Sequence, residues 1–168
     1  MTRSSGVGIG GGRIRPQRAA RLLDESKDLA GRKGIEILIM DADMIFGRVH
    51  IESAVEHAFR AFERGKNVAV TRMMEVMLYA SGERQLSAAI KKMGVGSGTV
   101  RVAVVVLDGS KLSDVMRDLE VKQDDGVLDG DPDRLSAFGI SRKALESVGP
   151  EKAIDLVLEK VAAVDTLK

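Results

Sequence analysis

The hydrophobic pattern divides the chain into strand-like and helix-like segments that alternate. A nearly continuous valine-rich run over 100–107 predicts a central strand buried on both faces, and 35–40 is a second apolar run of strand length. Residues 6–14 resemble a glycine-rich strand, and 67–70 form a short strand candidate. Together with the helical patterns between them, these segments predict an α/β fold, a single domain over residues 1–168 whose mixed sheet is covered by helices.

Two helices are predicted in the first half of the chain. Pro16 suits the first position of a helix that continues over 17–29, and 49–64 forms a longer helix that we expect to lie on the sheet. The apolar side of the first helix consists of Ala20, Leu22 and Leu23. The stripe of the second consists of Ile51, Ala54, Val55, Ala58, Phe59 and Phe62.

The second half carries weaker patterns. A helix is predicted over 111–118 with Ser110 as its cap, and Pro150 begins a last helix with apolar residues at steps of three and four. Between them, the acidic segment 122–134 is either a loop with a short edge strand or a partly mobile segment, and the sequence leaves both open. The Asp-Pro pair at 131–132 is a good helix start within this region.

Residues 65–94 predict two helices around a fixed turn at Ser81 and Gly82. The first helix, over 71–80, is apolar on nearly every side and needs neighbours around most of its circumference. Its methionines fit either an irregular core, which is the default, or an adaptable interface. The second helix has an apolar stripe and a basic side. The stripe consists of Leu86, Ala89, Ile90 and Met93, and the residues off it include Arg84, Lys91 and Lys92.

This segment, GKNVAVTRMMEVMLYASGERQLSAAIKKMG, resembles the small kinase-binding, tRNA-binding regulatory subunit of the KEOPS (EKC) complex, the TPRKB-like family. The positions that carry the resemblance are Asn67, Ala69, Met74, Glu75, Ala80, Ser81, Gly82, Gln85, Ala89, Ile90, Lys91 and Gly94. Weaker similarity extends through Arg48, His50 and Ala54, the glycine-rich start and the closing helix. The acidic segment 122–134 departs from the family pattern.

The resemblance implies a non-catalytic subunit that binds and regulates the small atypical kinase/ATPase of KEOPS and contacts other KEOPS subunits indirectly. It also implies recruitment of tRNA for threonylcarbamoyladenosine modification through the single-stranded 3′ CCA end, and no cofactor. Such an end can be held by a few phosphate contacts, stacking surfaces and base-edge hydrogen bonds. The candidate RNA-binding residues are Arg13, Arg48, His50, Arg72, Ser81, Gly82, Arg84, Gln85, Lys91 and Lys92. The candidate partner-binding residues are Met73, Met74, Met77 and Tyr79.

Composition sets looser limits. The 168 residues include 44% hydrophobic residues, enough to bury a core, and the net charge of +1 excludes a protein that binds polyanions by bulk charge. No cysteine is present, so the fold has neither disulfides nor thiolate metal sites. The first residues lack the apolar run of a signal peptide, and no segment reaches the ~18 apolar residues of a membrane span. We therefore expect a soluble, cytoplasmic protein.

Other constellations suggest an alternative function, a small nucleotide-binding domain or enzyme that uses the glycine-rich N-terminus. Gly6, Gly8 and Gly11 have the dinucleotide-binding spacing, but they do not follow a buried strand as a Rossmann motif requires. His50 and His57 lie seven residues apart on one predicted helix, roughly 10 Å along its axis, too far to share a metal. Neither a nucleophile elbow nor a phosphate loop is present.

Overall fold

The computed structural model describes residues 6–167, which form a four-stranded antiparallel sheet with helices on both faces. The strand order is β2-β3-β1-β4. The strands are β1 (Gly8–Arg13), β2 (Ile37–Asp41), β3 (Arg101–Val106) and β4 (Lys122–Gln123). The helices, which short 3₁₀ turns precede in several places, are α1 (Ala19–Lys33), α2 (Arg48–Glu63), α3 (Arg72–Ser81), α4 (Leu86–Met93), α5 (Leu112–Asp118), α6 (Leu135–Phe138), α7 (Arg142–Val148) and α8 (Ala153–Leu167).

The predicted fold class is confirmed, and β3 is the buried central strand that its valine run predicted. Alternate residues of β3 enter two separate cores, Val105 on one face and Val104 on the other. The first core lies under α2, α3, α4 and α8, and the second lies under α1 and α5. Because a strand covered on both faces needs apolar side chains at every position, the run is continuous and not alternating.

The sheet is antiparallel where a mixed sheet was expected. Both β1 and β2 pair with β3 in the antiparallel direction, so β1 and β2 run parallel to each other with β3 between them. Alternation of strands and helices in the sequence does not specify this arrangement, because it says nothing about which strand is inserted between the two others.

The glycines of β1 are there because of close packing. A Cβ on Gly12 would lie 2.4 Å from Cγ1 of Val121, and a Cβ on Gly11 would lie 2.8 Å from side-chain carbons of Val127 and Leu128. Apolar side chains therefore pack against the backbone of β1 more closely than any residue larger than glycine would permit.

Several local predictions are wrong. The strand expected over 67–70 is an irregular loop, because the amide groups of Val68 and Ala69 bond to a side-chain carboxylate and not to a neighbouring strand. Ala20 and Leu23, predicted on the apolar side of α1, are exposed, because the buried face of the helix is shifted by one residue and includes Ala19 and Leu22. Ile90, predicted in the apolar stripe of α4, is 45% exposed. The cap predicted at Ser110 is Asp108, whose side chain accepts a hydrogen bond from the amide of Ser110.

The acidic segment contains the short edge strand that one of the two sequence alternatives included. Strand β4 pairs with β1, and 3₁₀ turns follow over Asp125–Leu128 and Pro132–Arg134. The second turn begins at Asp131, as predicted, because the Asp131 side chain accepts from the amide of Asp133. None of the helices formed by residues 6–167 has the length and apolar character that a membrane crossing requires.

Candidate functional site

The turn between α3 and α4 is fixed by two basic side chains that the sequence assigned to RNA. Nε2 of His50 lies 2.8 Å from the carbonyl oxygen of Ala80, and Nζ of Lys92 donates to the carbonyl oxygen of Ser81 at 2.6 Å. The last carbonyls of a helix have no partner within the helix, so both contacts satisfy groups that would otherwise be unpaired. His50 and Lys92 thus hold the end of α3 in place.

His50 is fully buried and is neutral at physiological pH. Its Nδ1 accepts the amide of Phe46 at 3.1 Å, which leaves the proton on Nε2 and makes that nitrogen the donor to Ala80. Burial lowers the pKa of His50 from 6.5 to about 4, with a smaller lowering contribution from the charge of Lys92. Since both ring nitrogens are occupied inside the protein, His50 has no free group for an RNA contact.

Lys92, Ser81 and Gly82 also have structural roles. The Lys92 ammonium lies 3.9 Å from the centre of the Phe138 ring and 3.5 Å from a Glu83 oxygen, and its side chain is only 15% exposed. Ser81 is fully buried. Gly82 ends α3 in the left-handed conformation, with φ of 71°, as the sequence predicted.

Three of the candidate RNA residues remain on the surface of this turn and of α4. Arg84, Gln85 and Lys91 are exposed. Sequence reasoning missed a fourth residue, Lys160 of α8, which packs against Gly82. A Cβ built on Gly82 would lie only 3.2 Å from the Cβ of Lys160. Helix α8 begins about sixty positions after α4 ends, and no spacing in the sequence indicates that they meet here.

Lys160 also lines a groove of about 390 Å³ between α8 and the residues around the start of α7. Its walls include Ile140, Ala144 and Leu156, and Glu159 and Ser141 contribute polar groups. The groove therefore combines an aliphatic wall with one ammonium group at its edge. It is large enough for a planar ring, and Lys160 both lines it and packs against Gly82 of the α3–α4 turn.

The other three candidate RNA residues lie elsewhere. Arg48 donates to the carbonyl oxygen of Ile9 in β1 at 2.9 Å. The Arg72 guanidinium stands over two rings of α2, with its central carbon 5.6 Å from the centre of the Phe59 ring. Arg13 belongs to the far end of the sheet, where it pairs with Asp124. The predicted basic face is thus divided among several parts of the molecule.

The predicted partner-binding residues are mostly core. Met73, Met77 and Tyr79 are at most 4% exposed, and only Met74 is partly accessible. The Tyr79 hydroxyl donates to the Asp165 carboxylate, and the ring stacks on His57 with 5.4 Å between ring centres. Burial and this hydrogen bond raise the pKa of Tyr79. The methionines and Tyr79 therefore join α3 to α2 and α8, as the default reading of a methionine-rich helix expects.

A different apolar feature, the 67–71 loop, is displayed at the surface. Val68 is 50% exposed and Val70 is 93% exposed, directly before α3. Glu75 fixes the loop from the protein interior. Its fully buried carboxylate accepts hydrogen bonds from the amide of Val68 at 3.0 Å and from the amide of Ala69 at 2.8 Å. Asn67 adds a hydrogen bond from its side chain to the Ala69 carbonyl at 2.9 Å. The loop thus has a fixed shape while exposing large apolar side chains.

The two rival sites have no support from the geometry. The glycines at 8 and 11 lie within β1 and are covered by neighbouring side chains, whereas a dinucleotide motif needs them after a strand and facing the ligand. His50 and His57 belong to separate hydrogen-bond networks. Within residues 6–167, no three His, Cys, Asp or Glu side chains are grouped closely enough to hold a metal ion.

Comparison with known proteins places this geometry in a family context. Residues 17–143 match the family described as kinase binding protein CGI-121. The chain is also 28% identical over 155 residues to the "Regulatory protein Cgi121" of Methanocaldococcus jannaschii, an alignment that covers 92% of this chain and 98% of that protein. The matched region contains α1 to α6, the 67–71 loop and the α3–α4 turn.

Proposed function

The chain belongs to the kinase-binding CGI-121 family, and from this premise we propose that it is a non-catalytic regulatory subunit of a KEOPS-type tRNA-modifying complex. In this role it docks on a small atypical kinase/ATPase and recruits tRNA by the single-stranded 3′ CCA end. The family match over residues 17–143 carries the kinase-binding part, and the sequence motif at 65–94 extends it to KEOPS and tRNA.

The 67–71 loop is the proposed kinase-docking element. A side chain as exposed as Val70 contributes nothing to the fold of the chain by itself, and its neighbour Val68 is half exposed. Large apolar side chains displayed together mark interaction sites more often than isolated ones do. The buried carboxylate of Glu75 fixes the loop before a partner arrives, which reduces the entropy lost on binding.

The docking proposal is tested by capturing the candidate kinase with purified variants. Val70→Glu introduces a charge into the proposed interface and should reduce affinity at least about a hundredfold, as expected for a buried unpaired charge of roughly 3 kcal/mol. Val49→Glu is the control, because Val49 is another surface valine, 48% exposed, in the first turn of α2. If both variants bind the kinase equally well, the docking element lies elsewhere on the surface.

Arg84, Lys91 and Lys160, with the groove beside α8, form the proposed RNA surface. A single-stranded end needs only local positive charge and a surface on which a base can stack, so a chain of net charge +1 is sufficient. The aliphatic wall at Ile140 and Leu156 supplies such a surface, and the ammonium of Lys160 lies at its edge. The chain has few aromatic residues, and the groove uses none of them.

The tRNA proposal is tested by comparing intact tRNA with tRNA from which the CCA end has been removed. Intact tRNA should bind more tightly, and Arg84→Glu combined with Lys160→Glu should abolish that preference while leaving the thermal unfolding temperature nearly unchanged. Arg21→Glu combined with Arg32→Glu on α1, on the opposite face of the sheet, is the control for the same loss of positive charge. Equal affinity of the unmodified protein for both tRNAs would eliminate capture of the 3′ end.

A further inference from the structure

Three basic side chains stand in one row across the end of the sheet. Arg13 of β1 is paired directly with Arg101 of β3 on one side and with Lys122 of β4 on the other. Residues that are directly opposite in a sheet project from the same face, and like charges in such pairs are destabilising. A row of three cations therefore needs negative charge beside it.

A pocket of about 150 Å³ lies against this row. Arg13, Arg101 and Arg134 line it, the last contributed by the 3₁₀ turn Pro132–Arg134. Gly126 and Gly130 also line the pocket, together with Val127 and Asp131 of the same segment. With about 30 Å³ for each water molecule, the volume accommodates a small ion with a few waters and is too small for a nucleoside.

Aspartates orient the three guanidinium groups without using all of their donors. Asp124 accepts from Nε of Arg13 at 2.8 Å, and Asp43 accepts from Nε and Nη2 of Arg101 at 2.9 and 2.8 Å. Asp43 also lies 3.3 Å from Nη1 of Arg134. Within residues 6–167, both terminal nitrogens of Arg13, Nη1 of Arg101 and Nη2 of Arg134 have no other partner.

We propose that this pocket binds a phosphate dianion, either free or as the phosphate of a monoester. Guanidinium groups match phosphate oxygens with paired N–H donors, and here three of them face one cavity in orientations already fixed by carboxylates. Asp43 and Asp131 also line the pocket and Asp124 pairs with Arg13, so the three arginines are balanced by three aspartates. The dianion is therefore held by the guanidinium N–H donors that the aspartates leave free, and not by a net positive charge. This site is independent of the kinase and tRNA surfaces.

The proposal is tested by calorimetric titration of the full-length protein at low ionic strength. The ligands are inorganic phosphate, AMP and adenosine, each compared with sodium chloride at the same ionic strength. Saturable binding of phosphate or AMP, without binding of adenosine, is the expected result. Binding of both phosphate and AMP indicates that the free ion suffices, and binding of AMP alone identifies a monoester as the ligand. Absence of saturation with phosphate and with AMP overturns the proposal, as does adenosine binding as tightly as AMP.

Matched variants locate the site. Arg134→Gln should weaken phosphate binding at least about tenfold, because one charge-assisted hydrogen bond carries about that factor. Arg142→Gln, an exposed arginine of α7 outside the pocket, should bind as the unmodified protein does. Equal affinities of the two variants would place any binding elsewhere. If Arg134→Gln does not fold, NMR of the arginine Nε–H groups in the unmodified protein replaces it: shifts confined to Arg13, Arg101 and Arg134 support the site, and uniform shifts overturn it.

Discussion

Acidification should destabilise this protein through His50. The ring is fully buried and both of its nitrogens are hydrogen-bonded in the neutral form, so the folded protein resists protonation. In the unfolded chain the same imidazole takes up a proton near its ordinary pKa of 6.5, whereas in the folded protein burial lowers the pKa to about 4. Between these two values the unfolded state binds more protons, and the free energy of unfolding therefore falls as the pH falls.

The magnitude follows from the difference between the two pKa values of His50. Each pKa unit corresponds to about 1.4 kcal/mol, so the loss from this residue approaches about 3 kcal/mol by pH 4. Well above pH 6.5 the imidazole is neutral in both states and contributes no pH dependence. A loss of this size is a substantial part of the about 5–15 kcal/mol that stabilises a typical domain.

The assay is urea unfolding at several pH values between 7.5 and about 4.5, a range set by the two pKa values, with the His50→Gln variant beside the unmodified protein. Glutamine can offer an acceptor to Phe46 and a donor to Ala80 but does not titrate. The variant should be less stable at neutral pH, yet its stability should fall less on acidification, by about 2–3 kcal/mol at the acidic end. Carboxylates titrate in both proteins and cancel in the difference. Parallel loss of stability in the two proteins would refute the reasoning.

Three further predictions concern packing and hydrogen bonds. Gly12→Ala should cost about 1–3 kcal/mol of unfolding free energy, because the new Cβ would lie 2.4 Å from Val121, whereas Gly31→Ala in α1 meets no atom within 4 Å and should stabilise by about 0.5–1 kcal/mol. Glu75→Ala should cost about 2–4 kcal/mol in urea unfolding and speed amide exchange in the 67–71 loop, and unchanged exchange would contradict the role of the carboxylate. Lys92→Met should cost about 1–3 kcal/mol in thermal unfolding while leaving RNA retention intact, and selective loss of RNA would show that this lysine is a contact residue.

Periodicity predicted the helices and the central strand because burial alone determines those patterns. The valine run of β3 and the stripe of α2 each need apolar cover, and the sequence records that need directly. The strand expected at 67–70 was wrong for a specific reason. A buried carboxylate six or seven residues later takes the amides that a strand would give to its neighbour, and such a contact has no period.

The candidate surfaces were harder to predict, since they depend on residues that are distant in the chain. Lys160 reaches the α3–α4 turn from α8, and Arg101 stands beside Arg13 only because β3 pairs with β1. The clustering of basic residues in the sequence did not predict which of them are exposed. His50 and Lys92 point inward to cap a helix, while Arg84 in the α3–α4 turn and Lys91 in α4 remain exposed.

Several residues of the motif at 65–94, called frame residues below, hold the backbone in place and do not belong to the exposed contact surface. Asn67, Ala69 and Glu75 fix the loop, and Ser81 and Gly82 close α3. A substitution at a frame residue should therefore disturb the loop and the turn together, because α3 connects them over ten residues. A substitution at an exposed position should impair one activity and spare the other. Measurement of kinase capture and RNA retention in the same set of variants separates these two classes, and loss of both activities from an exposed position such as Val70 would mean that the two surfaces are one.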